Sequence, residues 1–455
     1  MREMFKVKSL IAKLKDKHFL SLCGNGIMAI ANMITLALLY RGLALPENGT
    51  WIFYQTAVLF VDTFRTGLLT TAVVKFYSGT TKERGEEVLG STWILILLIS
   101  AAFILLDLPF ILLAGNLKDE GIRIFIKFLP ANLLFSIPTV IALCKAQGED
   151  RFDKILYVRA INNGLFLLAI LFLWANNQLN LNSIILINLL TILLTGCFVL
   201  LSGWSGVKSI SKWTASCVKS IFHYGKFTVA TSISASLFKV TDSFIINFML
   251  GPAALAVYNA GQRLMEIVEI PLRSFTATAM PVLSASYNQN NKDLFLSTLQ
   301  KYVGVVTVAL IPLLLISFVF ADDAIGLIAG GKYQNTEAGN VFRLFVTFAL
   351  LYPADRFLAT ALDAIHKPNI NFYKVLGMLA INLIADLLGV HLIGNIYGIV
   401  MATLFTTLFA VAISNHYIKK NFNEYRFWRS YSWGLKAVII KIINIIRGSG
   451  LKSAS

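Results

Sequence analysis

Between residues 18 and 417 the chain repeats one pattern about twelve times: a long apolar stretch, then a short polar connection. A helix needs about 20 apolar residues to cross a hydrocarbon core roughly 30 Å thick. With no water in that core, each spanning segment must pair its own backbone N–H and C=O groups, which makes it helical. The pattern predicts an all-α polytopic membrane protein with spans near 18–40, 51–74, 89–114, 122–144, 155–175, 181–202, 221–250, 253–283, 299–321, 338–364, 369–391 and 395–417.

The widest connection inside this set, residues 203–220, is basic and contains Gly and Ser. It divides the spans six plus six. The halves echo one another: Trp51 and Tyr258 lie 207 positions apart, Arg65 and Arg273 208, Tyr77 and Tyr287 210. Six spans is an even number, so both halves enter the membrane in the same sense. A parallel repeat of two six-helix bundles follows, related by a pseudo-twofold axis along the membrane normal. The expected organisation is a basic N-terminus (1–17), a first bundle (18–205), a second bundle (206–418) and a basic tail (419–455). In the tail, Leu435, Val438, Ile439, Ile442, Ile443 and Ile446 recur at helical spacing and are interrupted by Lys436, Lys441 and Arg447. That pattern predicts an amphipathic helix on the cytoplasmic leaflet, and its charges disfavour a thirteenth span.

Composition agrees. Hydrophobic residues make up 56% of the chain, charged residues only 14%, and the mean hydropathy is +0.70. The net charge of +16 follows the positive-inside rule rather than pointing to nucleic acid. The basic residues gather in the N-terminus (Arg2, Lys6, Lys8, Lys13, Lys15, Lys17), beside Lys82 and Arg84, beside Arg151 and Lys154, at Lys208 and Lys212, and in the tail. The intervening connections hold few, which puts both termini in the cytoplasm. Residues 1–17 are too charged, and the first span too long, for a cleaved signal peptide. The four cysteines (Cys23, Cys144, Cys197, Cys217) and five histidines show neither metal spacing nor a disulfide framework.

Charges inside the spans are the informative exception, since each costs about 2.5–3.5 kcal/mol at the bilayer centre on insertion scales. Span two carries Asp62 and Arg65, span seven Lys239 and Asp242, and span eight Arg263, Glu266, Glu269 and Arg273. At about 100° per residue the last four occupy one side of their helix. Interhelical salt bridges would account for any single pair. The whole set is better served by one hydrated cavity, in which Arg65, Lys239, Arg263 and Arg273 face an anion. Guanidinium groups grip phosphate oxygens bidentately. Asp62, Asp242, Glu266 and Glu269 would be their charge partners, or the first three would take a coupling cation. Pro271, Pro281, Pro312 and Pro353 read either as static kinks or as bends that change between inward-open and outward-open states. Gly67, with Gly24 and Gly26, reads as a close-packing position.

Other signals are weaker. Residues 326–333 nearly spell a P-loop, but Tyr333 stands where Ser or Thr should bind magnesium and no strand precedes it, so no nucleotide is expected. The sequon Asn48-Gly49-Thr50 has meaning only in a secretory pathway. A membrane polymerase or ligase would need a sizeable outer loop, and the outer connections here are short. No cofactor, metal or catalytic group is expected.

Several patches resemble a known family: Asp62 to Gly67 and on to Lys75; Ser236-Leu237 to Asp242; Leu250-Gly251 followed by Ala256-Val257-Tyr258-Asn259-Ala260 and Arg263; Pro281-Val282-Leu283-Ser284; and Gly331-Lys332-Tyr333 with Ala338. Over about residues 18–418 the chain resembles the bacterial O-antigen and polysaccharide flippases of the multidrug/oligosaccharidyl-lipid/polysaccharide exporter superfamily. The resemblance implies two bundles around a cavity lined by spans one, two, seven and eight. It implies alternating access and a polyprenyl-diphosphate-linked oligosaccharide as substrate, moved across the bacterial inner membrane for surface polysaccharide synthesis. Membrane lipid, and polymerase and glycosyltransferase neighbours, would be the partners. The alternative on this fold is a cation-coupled multidrug antiporter.

Overall fold

The computed structural model describes residues 17–113, 115 and 117–450, together with most of their side chains from Met28 onward. The N-terminal cations Arg2 to Lys15, the side chains of Lys17, Cys23, Lys239, Lys441 and Arg447, and the surroundings of Gly24 and Gly26 lie outside the described residues. Every regular element among those residues is helical. The chain forms two compact units, divided between Ser243 and Phe244.

The first unit contains α1 (Lys17–Gly42), α2 (Leu45–Tyr77), α3 (Lys82–Leu113), α4 (Glu120–Gly148), α5 (Phe152–Ala175), α6 (Leu181–Leu201), a 3₁₀ turn (Val207–Lys212) and most of α7 (Ala215–Met249). Polar caps start the helices where the apolar runs begin: Asp119 Oδ1 accepts from the Ile122 N–H at 2.8 Å, and Asn180 Oδ1 from that of Ser183 at 2.9 Å. α2 packs on α4, α1 on α5, and α4 on α6. A core of Leu69, Val73, Val88, Ile96 and Ile141 is wholly buried.

The contact boundary differs from the sequence-based one at 205/206 by a single helix, α7. Small residues explain the difference. A Cβ on Gly67 of α2 would lie 2.8 Å from the Ser232 side chain of α7, and one on Gly225 only 2.5 Å from the Leu68 carbonyl oxygen. The two backbones therefore approach closely, and the Thr228 hydroxyl donates to the Gly67 carbonyl at 2.7 Å.

The second unit holds the end of α7, then α8 (Pro252–Asn288), α9 (Lys292–Val319), α10 (Ala321–Ala329), α11 (Gly331–Gln334), α12 (Ala338–Phe348), a 3₁₀ turn (Ala349–Leu351), α13 (Tyr352–Ala364), α14 (Pro368–Ile393), α15 (Tyr397–Asn421) and α16 (Phe427–Gly450). α8 runs unbroken through Pro271 and Pro281. The tenth apolar stretch is broken instead by the 3₁₀ turn before Pro353. α8 packs on α12 and α13, and α14 packs along α15.

The tail helix α16 docks along α9. A Cβ on Gly304 would sit 1.9 Å from the Ser430 carbonyl oxygen, and one on Gly434 only 2.2 Å from the backbone of Gly304. The apolar spacing thus marked a helix correctly, and paired glycines give it a partner that spacing did not show.

Nine segments among the described residues are long and apolar enough to cross a membrane. α1 and α7 add shorter apolar stretches, Met28–Gly42 and Val240–Met249, and α8 is as long but carries charges. The chain is therefore an all-α multi-pass membrane protein with about twelve transmembrane helices.

Each unit has a turn of the same kind. The α4–α5 turn carries Asp150 at φ 56°, and the α13–α14 turn carries His366 at φ 59°, 216 positions later. Each turn touches the tyrosine that ends an earlier span: the Tyr77 hydroxyl donates to Glu149 at 3.0 Å, and the Tyr287 ring meets His366 edge-on at 5.9 Å.

Candidate functional site

The eight charged residues singled out within the spans fall into unlike settings. Arg65 on α2 is 0% exposed. Its Nε donates to Asp62 Oδ1 at 2.9 Å, and Nη2 pairs with the same oxygen. Nη1 donates to Ser100 Oγ of α3 at 3.2 Å and to the Leu133 carbonyl of α4 at 2.7 Å. Nη2 also reaches Ser136 Oγ of α4 at 2.7 Å. All five N–H donors of the guanidinium are occupied, which makes its burial tolerable. Three helices are tied to one side chain.

The α8 residues are arranged differently. Arg263 Nη1 donates to Glu266 Oε1 at 3.0 Å, and Arg273 Nη2 to Glu269 Oε2 at 2.5 Å. Both pairs lie along the helix, at three- and four-residue spacing, and the arginine side chains are 48% and 69% exposed. Leu264, Met265, Val268 and Leu272 on the opposite side are buried. α8 therefore presents one polar strip about ten residues long. Its two cations and two anions balance, so it is a zwitterionic face rather than a purely cationic wall. Asp242 is 8% exposed, and Lys239 is known only by its place on α7.

The recognisable segment after Gly251 is partly structural. Tyr258 is buried edge-on against Phe345 at 5.6 Å, whereas Asn259 accepts from Arg263 Nε at 3.4 Å. Lys75 lies 4.0 Å over the Tyr224 ring of α7, a cation–π contact. Tyr333 is 0% exposed. It anchors the loop that resembled a P-loop, and a helix, α10, precedes that loop.

Further buried charges escaped the reading of the sequence. Lys374 of α14 pairs with Asp355 of α13 at 3.1 Å, and both are largely buried. Asp386 of α14 is 0% exposed and accepts from Asn382 Nδ2 at 2.7 Å, while Asn382 Oδ1 accepts from the Thr406 hydroxyl of α15 at 3.3 Å. The signal was available: Asn382 and Asp386 sit four apart in an apolar span, and Asp355 and Lys374 are opposite charges in consecutive spans. Among the described residues no three His, Cys, Asp or Glu side chains gather to hold a metal ion.

Membrane helices that bury Arg65 with all its donors occupied and carry an exposed polar strip on α8 define a multi-pass membrane protein with charged groups inside its spans. A family model described as polysaccharide biosynthesis protein matches residues 52–338, and the chain belongs to that family. It is 23% identical over 228 residues to the probable low-salt glycan biosynthesis flippase Agl15 of Haloferax volcanii. That match covers 50% of this chain and 48% of the relative, so the chain spans about half the length of the curated relative it matches. Among solved structures, the lipid II flippase MurJ in an inward closed conformation superposes with a TM-score of 0.71 at 16% identity, covering 94% of this chain and 92% of that one. An inward-facing multidrug resistance MATE transporter of the MOP superfamily gives 0.68 at 15% identity, covering 94% and 96%. At such identities these likenesses establish the fold.

Proposed function

We propose that this protein moves a polyprenyl-diphosphate-linked oligosaccharide across the membrane by alternating access, as a step in surface polysaccharide synthesis. The observation that carries the proposal is the exposed strip of α8, Arg263, Glu266, Glu269 and Arg273, on a helix of membrane-spanning length. Sugar hydroxyls and a diphosphate cannot enter hydrocarbon unaided, since each unpaired polar group costs a few kcal/mol and a charge far more. Two arginines held by carboxylates supply bidentate phosphate grips, and the carboxylates accept hydrogen bonds from sugar hydroxyls. The prenyl tail stays in lipid throughout.

In this reading Arg65 is a structural bolt, and it contacts substrate only if Asp62 releases it. Lys239 and Asp242 of α7 are further candidates. The protein performs no covalent chemistry in this scheme; it acts in the bacterial inner membrane with both termini cytoplasmic, next to glycosyltransferases and a polymerase. Family membership and the glycan-flippase relative support the proposal.

The test is the double substitution Arg263→Ala/Arg273→Ala. Export of surface polysaccharide should fall to background while the protein inserts and purifies normally. Normal export from that variant would overturn the role of the strip. A cation-coupled multidrug antiporter, the fold's other use, would instead confer drug efflux that depends on Glu266 and Glu269.

A further inference from the structure

The second unit contains a cavity of about 620 Å³ between the start of α14 and the end of α15. Under the positive-inside assignment both ends are cytoplasmic. Its polar wall is formed by His366, Lys367 and Lys374, and its aromatic wall by Tyr373, Phe409 and Tyr417. Lys374 is committed to Asp355. Lys367 donates to Asn421 Oδ1 at 2.6 Å, so its ammonium is placed at the mouth and keeps two further N–H donors. The first turn of α14 adds the positive end of a 26-residue helix dipole.

Deeper along the same helix faces the lining turns apolar. Ile370 and Ile413 lie in the cavity wall, and Gly377 makes room for the Phe409 ring, which would stand 2.9 Å from a Cβ there. Farther along the same faces come Ile384, seven residues past Gly377 on α14, and Phe405, four before Phe409 on α15, each more than half exposed. A basic, aromatic-rimmed headgroup compartment thus opens onto an apolar track running toward the middle of the hairpin. That division matches an amphiphile entering from the cytoplasmic leaflet.

We infer that this groove between α14 and α15 binds the phosphate headgroup of an anionic glycerophospholipid, with an acyl chain lying along Ile384 and Phe405. The site is separate from the α8 strip and does not rest on the transport reading. A free phosphate ion would use the basic end but not the track. A polyprenyl phosphate would use both.

Native mass spectrometry of the full-length protein, supplied with equal amounts of phosphatidylglycerol and phosphatidylcholine, tests this. The wild type should retain phosphatidylglycerol at least about fivefold over phosphatidylcholine. Lys367→Glu should bring the ratio to parity, and Ile384→Ala, on the exposed track, should lower retention without changing the thermal unfolding temperature by more than a few degrees. An even ratio in the wild type, or an unchanged ratio in both variants, overturns the site. Displacement of the lipid by millimolar inorganic phosphate reassigns it to a free anion, and displacement by equimolar polyprenyl phosphate reassigns it to a carrier lipid; either result overturns the phospholipid assignment.

Discussion

Two regions of this protein use the same sequence device and end differently. On α2, Asp62 and Arg65 stand three apart; on α8, Glu269 and Arg273 stand four apart. Both make an ion pair along their own helix, as that spacing allows. Arg65 is sealed because α3 and α4 bring Ser100, Ser136 and the Leu133 carbonyl to its remaining donors. Among the described residues Arg273 pairs only along its own helix, with Glu269, and stays 69% exposed. A membrane arginine is therefore a bolt or a working surface according to what the neighbouring helices offer, and nothing within its own span decides which.

The largest expected effect separates these cases outright. Arg65→Ala leaves a half-buried Asp62 and several polar groups without their partner and should cost about 3–5 kcal/mol. Arg273→Ala should cost less than about 1 kcal/mol. Unfolding in detergent, followed by heat or denaturant, measures both, and equal losses would break the comparison. A finer version removes one partner at a time. Ser100→Ala and Ser136→Ala should each cost about 1.5–3 kcal/mol, the range for a hydrogen bond to a charged group, with non-additive coupling to Arg65→Ala in a double-mutant cycle. Independent losses would mean that the node is a set of unrelated contacts.

The smallest effect concerns the repeated corners. Burial pushes the Glu149 carboxyl up, but hydrogen bonds from Lys154 and Tyr77 and the charges of Lys145 and Lys154 outweigh it, leaving its pKa below the ordinary value. A carboxyl lowered in the folded state stabilises fully above its unfolded pKa of about 4.3, and that contribution disappears as pH falls through the lower folded value. Below about pH 4, Glu149→Gln should therefore show a flatter loss of stability than the wild type, by under about 1 kcal/mol for this partly exposed group. The matching corner of the second unit has His366 beside the tyrosine instead of a carboxylate.

The apolar rhythm located nearly every helix to within several residues. It does not show the break in the tenth stretch, because hydrophobicity is blind to a 3₁₀ turn that keeps the same apolar residues; Pro353, read as a kink, marks it instead. The candidate site was legible as residue types and spacing. Lys374, Asp355 and Asp386 were passed over because none has an opposite charge three or four residues away on its own helix: Lys374 and Asp355 pair across helices, and Asp386 accepts from the uncharged Asn382.

What the sequence determined alone is whatever local chemistry dictates: helices of bilayer length, their caps, and ion pairs three or four residues apart. What only the tertiary structure decided is how deep each charge lies and which helix covers it. The glycines at 67, 225, 304 and 434 let α7 sit on α2 and α16 on α9. Close approach depends on a small residue meeting backbone from far along the chain, a coincidence in space that no window of sequence contains.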